Sequence, residues 1–325
     1  MMGGVIDDSP GGAEAPSGGR GSSPRVYVAP NDRLITRPFV VVTLAAFAFF
    51  MYIGTLLPLI PLYIEGPLDG GEFGVGLNAA VFAVAAIAAR PVLGRLADRY
   101  GRRAVMIAGG VIAALGGFGM SQVGSLGALL GFRVFTGVGE AAMFVGAATL
   151  IADLSPRERR AEGASYFSVA VFTGLGIGPV LGEWMLDDVE FERTFIVAGC
   201  FALVASLVAC FAPSRVVPPV VASGVEVDQL PDDVERVGWR KLVHPAAVLP
   251  GTVLALGVGG LTSFFLFVPE YSRTVGLATS GGLFLAYAVV SLVIRIFGAT
   301  IPERIGPRRA VTLALSFFII GLVVV

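Results

Sequence analysis

Apolar residues in this chain gather into long runs separated by short polar clusters. The runs lie near 38–63, 74–96, 104–121, 127–152, 162–186, 194–213, 246–269, 278–301 and 309–325. An α-helix needs roughly 17–25 such residues to cross the hydrocarbon core of a bilayer. The pattern therefore predicts about nine membrane-crossing helices. The last begins after Arg308 and reaches Val325 with about 17 residues, the minimum for a crossing.

Composition agrees with that solvent. Apolar residues make up 55% of the 325, and Asp, Glu, Lys and Arg only 14%, against about 25% in a soluble domain. The mean hydropathy is +0.82. The first 37 residues lack a continuous apolar stretch, so they do not read as a signal peptide. Their Gly, Ser, Pro and scattered charges predict a disordered tail.

The charges are unevenly placed. With the tail in the cytoplasm, eighteen of the 23 basic residues fall in cytoplasmic segments, and Arg193 and Arg273 fall outside. Arg90, Arg133 and Arg295 lie within the spans. The outer loops carry Glu65, Asp69, Glu72, Asp187, Asp188, Glu190 and Glu192 instead. This is a strong positive-inside pattern. It predicts a multi-pass protein of the cell (plasma or inner) membrane with a cytoplasmic N-terminus.

The stretch 216–243 breaks the rhythm, with six spans before it. It is rich in Pro and Val, then acidic, then basic. The expected organisation is a tail (1–37), a six-helix bundle (38–214), a cytoplasmic linker (215–244) and three helices of a second, incomplete bundle (245–325). The halves also repeat. Residues 90–103 align without gaps on 295–308, matching Arg90, Arg99, Gly101 and Arg103 to Arg295, Arg304, Gly306 and Arg308. Asp98 falls on Glu303, and Pro61-Leu-Tyr63 echoes Pro269-Glu-Tyr271. Parallel repeats of this kind build two-domain transporters.

Three stretches carry candidate mechanism. In Gly94-Arg-Leu-Ala-Asp98-Arg99-Tyr-Gly101-Arg102-Arg103, Gly94 is expected to admit a close helix. Gly101 is expected to take a tight turn, and Asp98 to face a helix N-terminus. Asp153, after the fourth span, is positioned to pair with these arginines. In the fourth span Arg133, Gly137 and Glu140 form one helical stripe. Glu140 falls near the bilayer midplane, where a charge costs roughly 2.5–3.5 kcal/mol. The gap of about 10 Å to Arg133 leaves two readings, a proton- or substrate-linked pair or a static one. Gly174, Gly178, Pro179 and Gly182 make a smooth, kinkable face on the fifth span.

These stretches resemble motifs A, B and C of the major facilitator superfamily, and the resemblance runs over residues 38–325. It implies an all-α integral membrane fold of two pseudo-repeated six-helix bundles, the second incomplete here. Motif A then implies a cytoplasmic gate, with Arg295, Glu303, Arg304, Gly306 and Arg308 as its repeat-related counterpart. Motif B implies an arginine associated with proton transfer, although Thr136 replaces the usual glutamine. Motif C is enriched in proton-coupled exporters, and here Glu183 replaces its final glycine.

The resulting expectation is an antiporter that exports a small amphipathic compound by alternating access. Proton-coupled uptake of a sugar or other metabolite, and a non-transporting fragment, stay open. No nucleophile–base pair, phosphate loop or metal cluster is evident, so an enzyme is not expected. His244 is the only histidine, and Cys200 and Cys210 are ten residues apart within one run. No cofactor is expected, the proton gradient being the energy source. Expected partners are membrane lipid and the small-molecule substrate, with no nucleic acid, and the chain is expected to be a monomer. Arg90 and Arg295 either snorkel to the interface or line the inner cavity. The phenylalanines around Phe47, Phe49, Phe50, Phe264 and Phe265 are expected to pack against lipid or neighbouring helices.

Overall fold

The computed structural model describes residues 26–28, 33–156, 159–186, 190–217, 245–277, 280–298 and 305–324. It contains helices α1 (Arg37–Glu65), α2 (Gly71–Tyr100), α3 (Arg102–Met120), α4 (Leu126–Leu154), α5 (Arg160–Leu186) and α6 (Phe191–Ala209). After the linker come α7 (Pro245–Thr274), α8 (Gly281–Gly298) and α9 (Pro307–Val324). The first six are long and apolar enough to cross a membrane, and the apolar cores of the last three are shorter. Each helix falls on one of the nine apolar runs, with ends moved by a few residues. α6 stops at Ala209, earlier than the run, because the last residues tighten into i→i−3 bonds, Phe211 N–H to the Val208 carbonyl and Ala212 N–H to that of Ala209, ahead of Pro213, which has no N–H to carry the helix on.

Local chemistry sets several of these ends. Thr36 caps α1 by accepting from the Phe39 amide at 3.4 Å, with Pro38 in the first turn. Ser125 caps α4 in the same way through Ala128, also at 3.4 Å. Gly101 ends α2 and starts α3 with φ 92°, in the left-handed region that a side chain rarely adopts. Its repeat partner Gly306 does the same ahead of α9, with φ 84°. The Gly101 carbonyl accepts from Val105 and the Gly306 carbonyl from Ala310, four residues on in each case. The repeat in the sequence is thus a repeat of turn geometry as well.

The helices run up and down, and cross-links fix which ends lie together. At one end Tyr63 of α1 donates its hydroxyl to the Val123 carbonyl after α3. There too Gln122 donates to Glu192 of α6 at 2.9 Å. At the other end Arg102 of α3 pairs with Asp153 of α4. A Cβ on Gly101 would lie 3.0 Å from the Ser214 carbonyl, just past α6. The α1–α2 end is therefore acidic and the α2–α3 end basic.

α1 is the central helix of the first bundle. It packs on α4, α5 and α6, and Phe49, Tyr52, Leu59 and Ile64 are fully buried on it. α5 and α1 carry the contact to the second bundle, through α8 and α7 respectively. Within the segment expected as a disordered tail, Val26–Val28 pairs in parallel with Arg215–Val217 at the start of the linker. That pairing ties the chain ahead of α1 to the chain after α6. Residues 33–37 of the expected tail lead into α1, with Leu34 buried; residues 1–25, 29–32 and 218–244 lie outside the described residues.

Candidate transport pathway

The motif C stretch fits its expected role as a close-packing face, and it does so against α1. A Cβ on Gly178 would lie 2.7 Å from the Gly54 Cα and the Thr55 nitrogen. One on Gly174 would lie 2.9 Å from the Met51 nitrogen, and one on Gly182 2.6 Å from the Thr55 carbonyl. Real Cβ atoms do not come that close to backbone, so these glycines let α1 and α5 touch main chain to main chain. Gly178→Val should force the helices apart at a cost of about 1–3 kcal/mol. A fall in melting temperature of the purified protein in detergent checks this; an unchanged melting temperature would contradict the packing.

The other face of α5 meets the second bundle. A Cβ on Gly176 would run into Ala288 of α8, and Phe172 lies 6.4 Å from Tyr287, ring centroid to centroid. Close by is Glu183. Its carboxylate accepts from the Ser280 backbone N–H at 3.1 Å, and also from the Ser280 hydroxyl and the Gly281 N–H. It therefore caps the N-terminus of α8, where the helix dipole favours an anion. This bond between bundles sits at the acidic, α1–α2 end. In the sequence Glu183 stood out only as a departure from a glycine pattern; its partners come from a helix about a hundred residues away.

The motif B stripe splits between two environments. The pairing open between Arg133 and Glu140 does not form. Glu140 instead lies 3.8 Å from the guanidinium of Arg90 on α2, and that guanidinium also lies over Phe144 at 5.6 Å. Both residues face α2, but they stand about 10 Å apart along α4, so Glu140 meets Arg90 and Arg133 meets a different turn of the same helix. Arg133 stacks 4.3 Å above the Phe82 ring and is only 9% exposed. Gly137, between them, lets α2 approach: a Cβ there would lie 2.5 Å from the Phe82 carbonyl. Sequence reasoning had Arg90 as a cavity or interface residue; one charge at similar depth on each of α2 and α4 was the signal for the pair.

Motif A is only partly as expected. Gly101 makes its tight turn, and Arg102 and Asp153 form an ion pair. Arg99 stacks on Tyr100 at 5.3 Å. Two expectations need correction. Gly94 has no close helix among the described residues, where a Cβ there meets nothing within 4 Å. Asp98 is exposed, and no group among the described residues pairs with it. Both follow from the exposure of α2 at this end, where Arg95, Leu96, Asp98, Arg99 and Tyr100 are open. Arg103 is half-buried in the first turn of α3. Glu303, Arg304 and the side chains of Arg295 and Arg308 lie outside the described residues.

Between the bundles lies a cavity of about 250 Å³. Its walls come from α1 (Ile53, Leu57, Ile60), α2 (Asn78, Phe82), α4 (Arg133), α5 (Leu175) and α7 (Thr262, Phe265). Phe265, expected only to pack, packs in parallel with Phe284 at 5.7 Å and also forms a cavity wall. Among the described residues no three His, Cys, Asp or Glu cluster to hold a metal ion.

A membrane-spanning two-bundle fold with a cavity at the bundle interface is the architecture of a carrier. Residues 42–325 match the sequence profile described as Major Facilitator Superfamily. The chain belongs to this superfamily. Membership, with six helices long and apolar enough to cross a bilayer, makes it a multi-pass membrane protein of a transporter superfamily. Among curated superfamily members it is 26% identical over 245 residues to Quinolone resistance protein NorA of Staphylococcus aureus (strain MRSA252). That match covers 73% of this chain and 61% of NorA. It is also 26% identical over 222 residues to Multidrug resistance protein 1 of Bacillus subtilis (strain 168), covering 67% and 54% of the two chains. The chain thus spans about three-fifths of the length of the first of these relatives. Solved superfamily structures share the fold. The proton:xylose symporter XylE bound to 6-bromo-6-deoxy-D-glucose superimposes with TM-score 0.58 at 15% identity, covering 82% of this chain and 68% of that one. XylE from E. coli in a partially occluded inward open conformation gives 0.61, also at 15%, with 82% and 73% covered.

Proposed function

We propose that this chain forms the core of a proton-coupled exporter of small amphipathic compounds. The two bundles rock against each other, and the substrate sits in the cavity between them. The observation that carries the reading is the division of labour on α5. One face is locked to α1 through Gly174, Gly178 and Gly182, and the other meets α8 through Gly176 and Glu183. Resistance proteins among the relatives support export.

The positive-inside distribution supports an orientation with the α2–α3 end and the N-terminus cytoplasmic. On that orientation Glu183 closes the outer end, and the uncovered face of α2 opens the inner one. The Arg102–Asp153 pair and the exposed Asp98 then belong to the inner gate. Glu140 is the residue that takes up and releases the proton, with Arg90 as its counter-charge. One inward charge supplies about 2.3 kcal/mol per 100 mV.

Sugar uptake is less favoured. The cavity offers the side chains of Asn78, Arg133 and Thr262 as its polar groups, and the Thr262 hydroxyl already donates to the Val258 carbonyl. A sugar would leave most of its hydroxyls unpaired there, at a cost for each. The test is transport in inside-out membrane vesicles from cells expressing the chain. An imposed proton gradient should drive accumulation of amphipathic dyes several-fold over vesicles lacking the chain. Accumulation of none of them, or collapse-insensitive accumulation after an uncoupler, would sink the export reading.

A further inference from the structure

Among the described residues the cavity between the bundles has one charged wall group, the guanidinium of Arg133. That group is nine-tenths buried, and no carboxylate among the described residues pairs with it. Its Nε has no hydrogen-bond partner. The Phe82 ring lies beneath it at 4.3 Å, which offsets part of the cost of desolvating the charge but satisfies no N–H. One turn from Phe82 on α2, Asn78 also lines the cavity; it is 4% exposed, and its Oδ1 lacks a partner. Buried polar groups are normally satisfied, and an arginine inside a membrane normally has a counter-charge. Two of them left open on one cavity mark a place where a ligand completes the bonding.

The chemistry of that ligand follows from what is missing. A guanidinium presents a planar fork of donors that matches a carboxylate. Asn78 adds one amide for a polar group beside it; either end of the amide serves, since it both donates and accepts. The remaining walls are apolar, with Phe82 and Phe265 giving flat aromatic surfaces. Glu140 does not compete, because it faces Arg90. A cation entering here would meet a like charge in a low-dielectric site. We infer that Arg133 and Asn78 form an anion subsite, and that the cavity takes a flat aromatic compound bearing a carboxylate. This names the substrate class within the transport reading above and rests on the cavity being the substrate site.

Equilibrium binding tests the inference without requiring transport. The full 325-residue chain is placed in nanodiscs of neutral phosphatidylcholine, and binding to empty discs is subtracted. The probes are 2-naphthoate, the neutral 2-naphthamide and the cationic 2-naphthylmethylamine, which share one ring system. The expected order is carboxylate tightest, by about tenfold over the amide, with the amine weakest; tenfold is about 1.4 kcal/mol. Arg133→Gln should remove the preference, and Arg133→Lys should keep part of it. The series on the unaltered chain is decisive even if a variant misfolds. Equal binding of the three probes, no binding of any, or a preference that survives Arg133→Gln overturns the subsite. So does loss of the preference when phosphatidylglycerol is added to the discs, which would mean the guanidinium serves a lipid headgroup. A failed vesicle assay with this binding order intact would count against export and leave the subsite standing.

Discussion

Glu140→Gln is expected to abolish proton-driven accumulation in inside-out vesicles while leaving the protein inserted and folded. The glutamine keeps the shape of the side chain but cannot carry a proton between the two sides. In the structure the carboxylate is 12% exposed at its side chain and, among the described residues, pairs with Arg90 at 3.8 Å. Such a residue within a membrane helix is costly to keep unless its charge is used or paired. The expected effect is a fall of at least about a hundredfold in gradient-driven flux, roughly 2.7 kcal/mol in the driving step. Counterflow, which exchanges substrate with no net proton movement, should persist. Wild-type pH dependence in the variant would show that the proton travels elsewhere. Loss of counterflow as well would mean that Glu140 only holds α2 and α4 together.

The second large effect concerns Glu183→Ala. The variant removes the one acceptor for three donors at the start of α8: the Ser280 N–H, the Ser280 hydroxyl and the Gly281 N–H. Hydrogen bonds to a charged acceptor contribute about 1.5–3 kcal/mol each, and a group left buried without a partner adds to the loss. These donors gain water when the end opens, so the net bias is smaller, on the order of 2 kcal/mol. That still moves a two-state equilibrium by about thirtyfold. The measurement is the alkylation rate, by a membrane-impermeant maleimide, of a cysteine placed at Leu283, half-buried in the first turn of α8 and outside the three bonds. It should rise by about that factor in the Glu183→Ala background. An unchanged rate would mean that the contact is a passive one.

The helix plan was legible because each crossing is a long apolar run, and lipid enforces that pattern on any sequence that spans it. Gly101 and Gly306 were legible for a different reason: a left-handed turn restricts the residue type wherever it occurs. The partner choices were not. Arg133 and Glu140 share a stripe on one helix, yet each met the turn of α2 beside it, Arg133 the Phe82 ring and Glu140 the Arg90 guanidinium. Gly94 fits a motif whose close contact is absent at the uncovered face of α2. Asn78 gave no local signal, because its open Oδ1 is a property of the cavity and not of the residues next to it in the chain. Glu183 needed the position of α8, which no spacing along α5 encodes.

The contact between Gly176 and Ala288 has a mechanical consequence. With no side chain on one partner and a methyl on the other, the crossing of α5 and α8 works as a pivot, where two rods can tilt without unlocking interdigitated groups. Glu183 sits seven residues along, an arm of about 10 Å. A tilt of about 15°, the size of known subunit rotations, would carry its carboxylate about 3 Å. That is enough to break every bond it makes to Ser280 and Gly281. The fulcrum itself would barely move, so a small angular change near the bilayer centre would be read out at the rim as an all-or-none release.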